Sequence, residues 1–190
     1  NRISNFYETE FSNVGRSVHT LAVKATNSFE DSRDKVKDYI NAKEREEIIF
    51  TKGATESINL VASSYGEKFI KNGDEIILTE LEHHSNYVPW HFLREKKGVK
   101  INFAPINEKG EVEIDEIKKL INSKTKIIAV THISNVTGTI MPIKKIVDLA
   151  KEKNIPVLID GTQGAPHLKI DMQELGCDFY AISCHKMYGP

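Results

Sequence analysis

The stretch Ser183-Cys184-His185-Lys186-Met187-Tyr188-Gly189-Pro190 places a lysine between a histidine and a tight turn, directly after the apolar run Phe179-Tyr180-Ala181-Ile182-Ser183. A lysine at a strand end is either a solvated surface cation or a nucleophile. Desolvated beside the ring of His185, the Lys186 amine would lose basicity and could attack a carbonyl to form a Schiff base. Asp160 closes the run Pro156-Val157-Leu158-Ile159-Asp160, where burial is expected and an unpaired carboxylate is costly. It needs a cation or a donor. A buried ion pair with Lys186 would serve, and so would the N–H of a protonated heterocycle, which is both at once. The segment Thr51-Lys52-Gly53-Ala54-Thr55-Glu56-Ser57 offers backbone N–H groups and the Thr55 hydroxyl at a helix start, an anion site by geometry.

These residues need elements to hold them. Six runs read as β-strands: 47–50, 75–80, 100–105, 126–132, 156–161 and 179–183. Helical patterns lie between most of them. Ile58, Val61, Ala62 and Tyr65 share one face, and Gly66 is expected to close that helix. Ile143, Ile146, Val147 and Ala150 share another, entered through Pro142. Asn27 with Glu30 resembles a capping box ahead of Phe29, Val36 and Ile40. Residues 107–120 read as an exposed turn leading into a short helix. Apolar strands alternating with amphipathic helices predict the α/β class, with a mainly parallel sheet covered by helices on both faces. Residues 1–45 are expected to form a helical segment and 46–190 the sheet domain.

In open α/β sheets ligands bind beyond the carboxyl ends of the strands. Thr55 follows the first predicted strand, His83 and His84 the second, Asn135 the fourth, Asp160 and Gln163 the fifth, and Ser183, His185 and Lys186 the sixth. One rim thus collects an anion site, a carbonyl-reactive amine and a carboxylate for a ring nitrogen. Phosphate, carbonyl and ring nitrogen are the three handles of pyridoxal 5′-phosphate, which is the cofactor expected here.

Composition narrows the partners. The 190 residues are 39% hydrophobic and 28% charged, as in an ordinary globular domain. Lys and Arg number 26 against 27 Asp and Glu, so no broad cationic face is implied for nucleic acid or an anionic membrane surface. No apolar run approaches the roughly 18 residues of a spanning helix, and the first residues lack a secretion signal's apolar core. A cytosolic protein with a small-molecule substrate is expected. Cys177 and Cys184 stand at neither a metal-knuckle nor a disulfide-framework spacing, so reduced thiols are expected. An initial Asn and a final Pro after a turn Gly read as cuts from a longer chain.

Five motifs, in order and spacing, resemble the cysteine desulfurases of the Suf/Csd sulfur-mobilisation group. They are FTKGATESINLVASSYG, ELEHHSNYVPW, THISNVTGTIMPI, VLIDGTQGAPHLKID and CDFYAISCHKMYGP, and the similarity begins near GRSVHTLA at Gly15. That group belongs to the class-V aminotransferase branch of fold type I pyridoxal-phosphate enzymes. The resemblance implies that Lys186 holds the cofactor, that Asp160 pairs with its ring nitrogen, and that His83 stacks on the ring and shuttles a proton. His84 takes no role. Gln163 and Asn135 would lie near the phenolic oxygen, and Thr55, Ser183 and His185 would grip the phosphate. The implied reaction converts L-cysteine to L-alanine and leaves a persulfide on an enzyme cysteine, for transfer to a sulfur-acceptor protein and iron-sulfur cluster assembly. A homodimer is implied as well.

The chain departs from the group's pattern at Cys184, where Gly is usual, and at Ala54, where a second Thr is frequent. The group's persulfide cysteine, its carboxylate-binding arginine and its small C-terminal domain are expected beyond Pro190. Cys184 is therefore expected to serve local packing rather than to attack sulfur, since free cysteine is mostly a small buried hydrophobe. Cys177 sits at the wrong end of the last strand. Rival readings are selenocysteine lyase or another class-V enzyme, a non-catalytic scaffold, and a metal domain built from His83, His84, His132, His167 and His185, for which no ligand spacing speaks.

Overall fold

Alternation along the strands accounts for the sheet. In the computed structural model, β1 (Glu75–Thr79), β2 (Lys100–Ala104), β3 (Thr125–Thr131), β4 (Val157–Asp160) and β5 (Phe179–Ala181) pair in parallel in the order β2-β1-β3-β4-β5. Ile77, Ile128, Val130, Val157 and Ile159 project to one face, into a core with Ile117, Ile143, Ile146, Val147 and Ala150. Their neighbours Ile76, Leu78, Ile127, Ala129, Leu158 and Ala181 project to the other, into a core with Ala54, Ile58, Ala62, Trp90 and Leu93. Both faces are covered by helices, which is why the strands are apolar on both sides rather than alternating with polar residues.

The structure describes residues 1–15 and 18–189. Arg16 and Ser17, within the first stretch of the similarity above, and Pro190 lie outside the described residues. The chain divides into two compact units, Asn1–Ile49 and Phe50–Pro190. Among the described residues no helix is long and apolar enough to cross a membrane.

In the first unit, helices span Arg2–Thr9 and Thr20–Tyr39. The second begins well before Asn27. Its cap is His19, whose Nδ1 accepts from the Ala22 amide at 3.2 Å, and Ala22 and Ala25 form its buried face, so Asn27 sits mid-helix. The predicted strand at 47–50 does not form. Arg45–Glu47 is a 3₁₀ turn in which the Glu47 carboxylate accepts from the Lys43 amide at 3.0 Å, and Ile49 and Phe50 remain exposed. Glu47 is committed to capping, and no neighbouring strand covers the apolar pair.

In the second unit, the Ala54–Val61 helix does not stop at Gly66. It passes through a π turn, Ala62–Gly66, into Glu67–Phe69. Gly66 is buried, and a Cβ there would meet Leu93 at 2.9 Å, so its role is close packing against the Val88–Lys97 helix rather than a left-handed stop. Ile143–Lys151 starts one residue after Pro142 and buries the four predicted apolar residues; Ile114–Leu120 is the short helix expected after the exposed turn.

Candidate active site

β1 and β3 are neighbours, while the chain from β1 first goes outward to β2, so the direction of winding reverses between them. Ligand crevices form at such a point. A cavity of about 140 Å³ opens at the carboxyl ends of β1, β3, β4 and β5. Thr55, His83, Asn135, Asp160, Gln163, Ser183, His185 and Lys186 all line it. His84 does not; its ring stands edge-on to His83 at 6.1 Å. Five β-type runs were expected to feed the rim; the first contribution comes instead from the first turn of the Ala54–Val61 helix.

Asp160 is the last residue of β4 and only 3% exposed. Its Oδ1 accepts from the Thr162 amide at 3.0 Å. Among the described residues it has no ion-pair partner, and the Lys186 pair considered above is not formed. A buried carboxylate with a single neutral donor, facing a cavity, is suited to a cationic N–H ligand. The turn that follows is shaped by Gly161, where a Cβ would lie 2.0 Å from the Tyr180 ring.

Ser183 is buried, and its Oγ accepts from the Ala54 amide at 2.9 Å. The segment just after β5 thereby caps a helix start 129 residues earlier in the chain. The Ser57 amide bonds Gly53, but the Thr55 and Glu56 amides have no protein acceptor among the described residues. Those two N–H groups, the Ser183 proton and the Thr55 hydroxyl form a donor set for an anion at the positive end of the helix. The departing residue Ala54 is buried in the second core cluster, so a methyl there serves packing.

His83 caps the turn His84–Asn86: its Nδ1 accepts from the Ser85 amide at 3.1 Å. With Nδ1 an acceptor, the neutral ring carries its proton on Nε2. Ser85 Oγ lies 3.1 Å from Nδ1 and 2.7 Å from Thr55 Oγ1, which links the anion site to the imidazole. Gln163, half-buried, precedes the Gly164–His167 turn, and Asn135 is exposed.

Two expectations fail at the end of β5. Cys184, His185 and Lys186 form a 3₁₀ turn and all three are exposed, so the Lys186 amine is not desolvated by His185. Cys184 is likewise not a packing residue. Cys177 does pack: it is half-buried against the first core, and burial pushes its thiol up to about 12. His132 is also structural. It is buried, bonds the Tyr180 hydroxyl through Nδ1 at 2.8 Å, and burial holds its pKa below the usual imidazole value. Among the described residues no group of three or more His, Cys, Asp or Glu is placed to hold a metal ion.

Three residues absent from the sequence-derived set belong beside it. Ser85 and Thr131 line the cavity. Glu82 stands behind them, half-buried as a residue with its carboxyl desolvated. Burial raises its pKa to about 7 against the opposing pull of hydrogen bonds from Thr79, Asn86 and Thr131, and the charge of Asp160 raises it further. In sequence Glu82 is one more acid in a polar loop; only the return of β3 beside β1 reveals its partner.

The aminotransferase class-V family model matches residues 1–190. A probable cysteine desulfurase of Halalkalibacterium halodurans is 48% identical over 188 residues, which is 99% of this chain and 46% of that protein. A cysteine desulfurase of Pectobacterium atrosepticum is 47% identical, over 100% of this chain and 46% of its own length. Among solved structures, the cysteine desulfurase CsdA of Escherichia coli matches with a TM-score of 0.88 at 38% identity, over 98% of this chain and 47% of that one. SspA in complex with cysteine matches with a TM-score of 0.91 at 29% identity, over 99% and 53%. The chain spans about half the length of the curated relatives it matches. It belongs to the class-V aminotransferase family.

Proposed function

We propose that this chain forms the pyridoxal-phosphate site of a cysteine desulfurase. The observation that carries this is one cavity shared by a buried carboxylate without an ion-pair partner, an unpaired helix-start donor set and a lysine. The relatives at 47% and 48% identity named as desulfurases, and a neighbour solved with cysteine, support the substrate. The Thr55 and Glu56 amides with Thr55, Ser183 and His185 would hold the phosphate, Asp160 the ring nitrogen, Gln163 and Asn135 the phenolic oxygen, and Lys186 the aldehyde carbon. When bound, the cofactor supplies an electron sink for charge developing at the substrate α-carbon.

The residues do the rest. Asp160 keeps a ring-nitrogen proton in place through a charge-assisted hydrogen bond. His83, oriented through Nδ1, gives or takes a proton at Nε2. Lys186, exposed at the rim, would supply the amine that holds the cofactor's aldehyde carbon. L-Cysteine would leave as L-alanine, with sulfur retained as persulfide on an enzyme cysteine and passed to an acceptor protein. That cysteine, a carboxylate-binding arginine and a homodimer belong to the proposal for the whole protein.

The whole protein, reduced with borohydride and digested, should yield one labelled peptide containing Lys186, and L-cysteine should be converted to alanine. A label on another lysine, or none, would overturn the assignment.

A further inference from the structure

The Glu82 carboxylate bonds only to donors. Trp90 Nε1–H, which can only donate, gives its proton to Asn86 Oδ1 at 3.1 Å, so Asn86 must turn its Nδ2 toward Glu82 Oε2, 2.6 Å away. The Thr131 amide donates to Oε1 at 3.0 Å. Thr79 Oγ1 accepts from the Leu81 amide at 3.2 Å and gives its own proton to Oε1 at 2.6 Å. Three donors from three places meet on one carboxylate: the end of β1, the turn after His83, and the end of β3. The Asn86 amide also bonds the His83 carbonyl at 2.8 Å, so the clamp grips His83 from both sides. On its other side, Thr131 is the register partner of Asp160, and the His132 amide donates to the Asp160 carbonyl at 2.9 Å.

We propose that Glu82 is a positioning residue: by clamping the loop that carries His83 to the end of β3, it sets the separation between the His83 imidazole and the Asp160 carboxylate across the cavity. This rests on the cofactor reading above, in which a planar heterocycle occupies that separation. Glu82 itself does not line the cavity and touches no reacting atom.

The test uses the whole protein and two isosteric or near-isosteric changes. Glu82→Gln brings an NH₂ against a ring of donors, so one of Asn86 or Thr131 loses its acceptor. Thr79→Val removes one donor while keeping the shape of the β1 end. Without cofactor, amide exchange at residues 80–86 and at Thr131 should speed up in both. With cofactor, the visible circular dichroism of the bound group should change in Glu82→Gln, and kcat for L-cysteine should fall roughly 10- to 100-fold with KM held within about threefold, the scale of a small misplacement of reacting groups. Thr79→Val should move the same quantities in the same direction by less, and it decides the matter if Glu82→Gln does not fold. A lower melting temperature with exchange, dichroism and kcat unchanged would show a purely structural residue and overturn the proposal. Borohydride labelling of the parent is the control: without a label on Lys186 both readings fall, and with it only the Glu82 assignment is at stake.

Discussion

The two ends of the sheet carry cavities of opposite character. The one at the amino end, near Tyr65, Asn122, Lys126, Lys153 and Pro156, is the larger at about 490 Å³. Its pairing is local: Asn122 Nδ2 donates to Glu75 at 2.9 Å, the Asn122 amide to Thr125 Oγ1 at 3.0 Å, and Ser123, Lys153 and Asn154 around it are exposed. The one at the carboxyl end holds about 140 Å³ but keeps two helix-start amides, a serine proton and a buried carboxylate without matching partners. Buried hydrogen-bonding capacity left over where strands end, as at Asp160 and Ser183, distinguishes the candidate site from a hollow rimmed by exposed side chains.

The largest effect that could break this contrast is at Asp160. Asp160→Asn should leave the cofactor bound and lower turnover by several kcal/mol of barrier, at about 1.4 kcal/mol per factor of ten; single-turnover alanine formation measures it. Near-parental rates would remove Asp160 from the chemistry.

A pH experiment comes next, because Glu82 places a desolvated carboxyl at the carboxyl end of the sheet. Its folded pKa, about 7, lies above its ordinary value of 4.5, so the native state binds more protons in between. Stability from this group is therefore full below about pH 4.5, falls as pH rises through about 7, and is flat above. The loss should be on the order of 2 kcal/mol after allowing for partial solvent access. Buried His132 works in the opposite sense, losing stability as pH falls below its ordinary value of 6.5. Urea unfolding of parent and Glu82→Gln at pH 5 and pH 8 separates the two, since only the Glu82 contribution differs between the proteins. A parent-minus-variant difference that is the same at both pH values would contradict the assignment.

Ser183→Ala should cost about 1 kcal/mol of stability through the lost helix cap and weaken cofactor binding roughly tenfold, read by thermal unfolding and by equilibrium dialysis. Lys153→Ala, at the larger cavity, sharpens the contrast by doing nothing: cofactor affinity and turnover should stay within about twofold of the parent, as surface changes away from a site do.

The fold was legible where burial leaves little choice. β4 and β5 are apolar on both faces, so short apolar runs with turn residues after them sufficed. The run at 47–50 has the same composition but its glutamate caps a turn, and composition does not say whether a neighbouring strand exists to cover it. His19 as a cap gave no signal because histidine is not among the preferred capping residues. The site was legible because strand ends are; every residue named for it lines the cavity except His84, for which no role was expected. What failed was orientation. Which side of a 3₁₀ turn faces water decides the exposure of Cys184 and Lys186, and nothing in a short polar stretch encodes it. Glu82, Ser85 and Thr131 were missed because each acquires meaning only from a partner on another element.

The Ser183 cap has a consequence for the order of events during synthesis. Its partner, the Ala54 amide, leaves the ribosome 129 residues earlier. A nascent chain that has already paired β1 through β4 still holds an open helix start and no lysine at the rim. Contacts so distant along the chain form late, after the local ones that make them worth closing. The anion cup and the lysine arrive together with β5, so a partly made chain has no complete pocket in which to capture a reactive aldehyde.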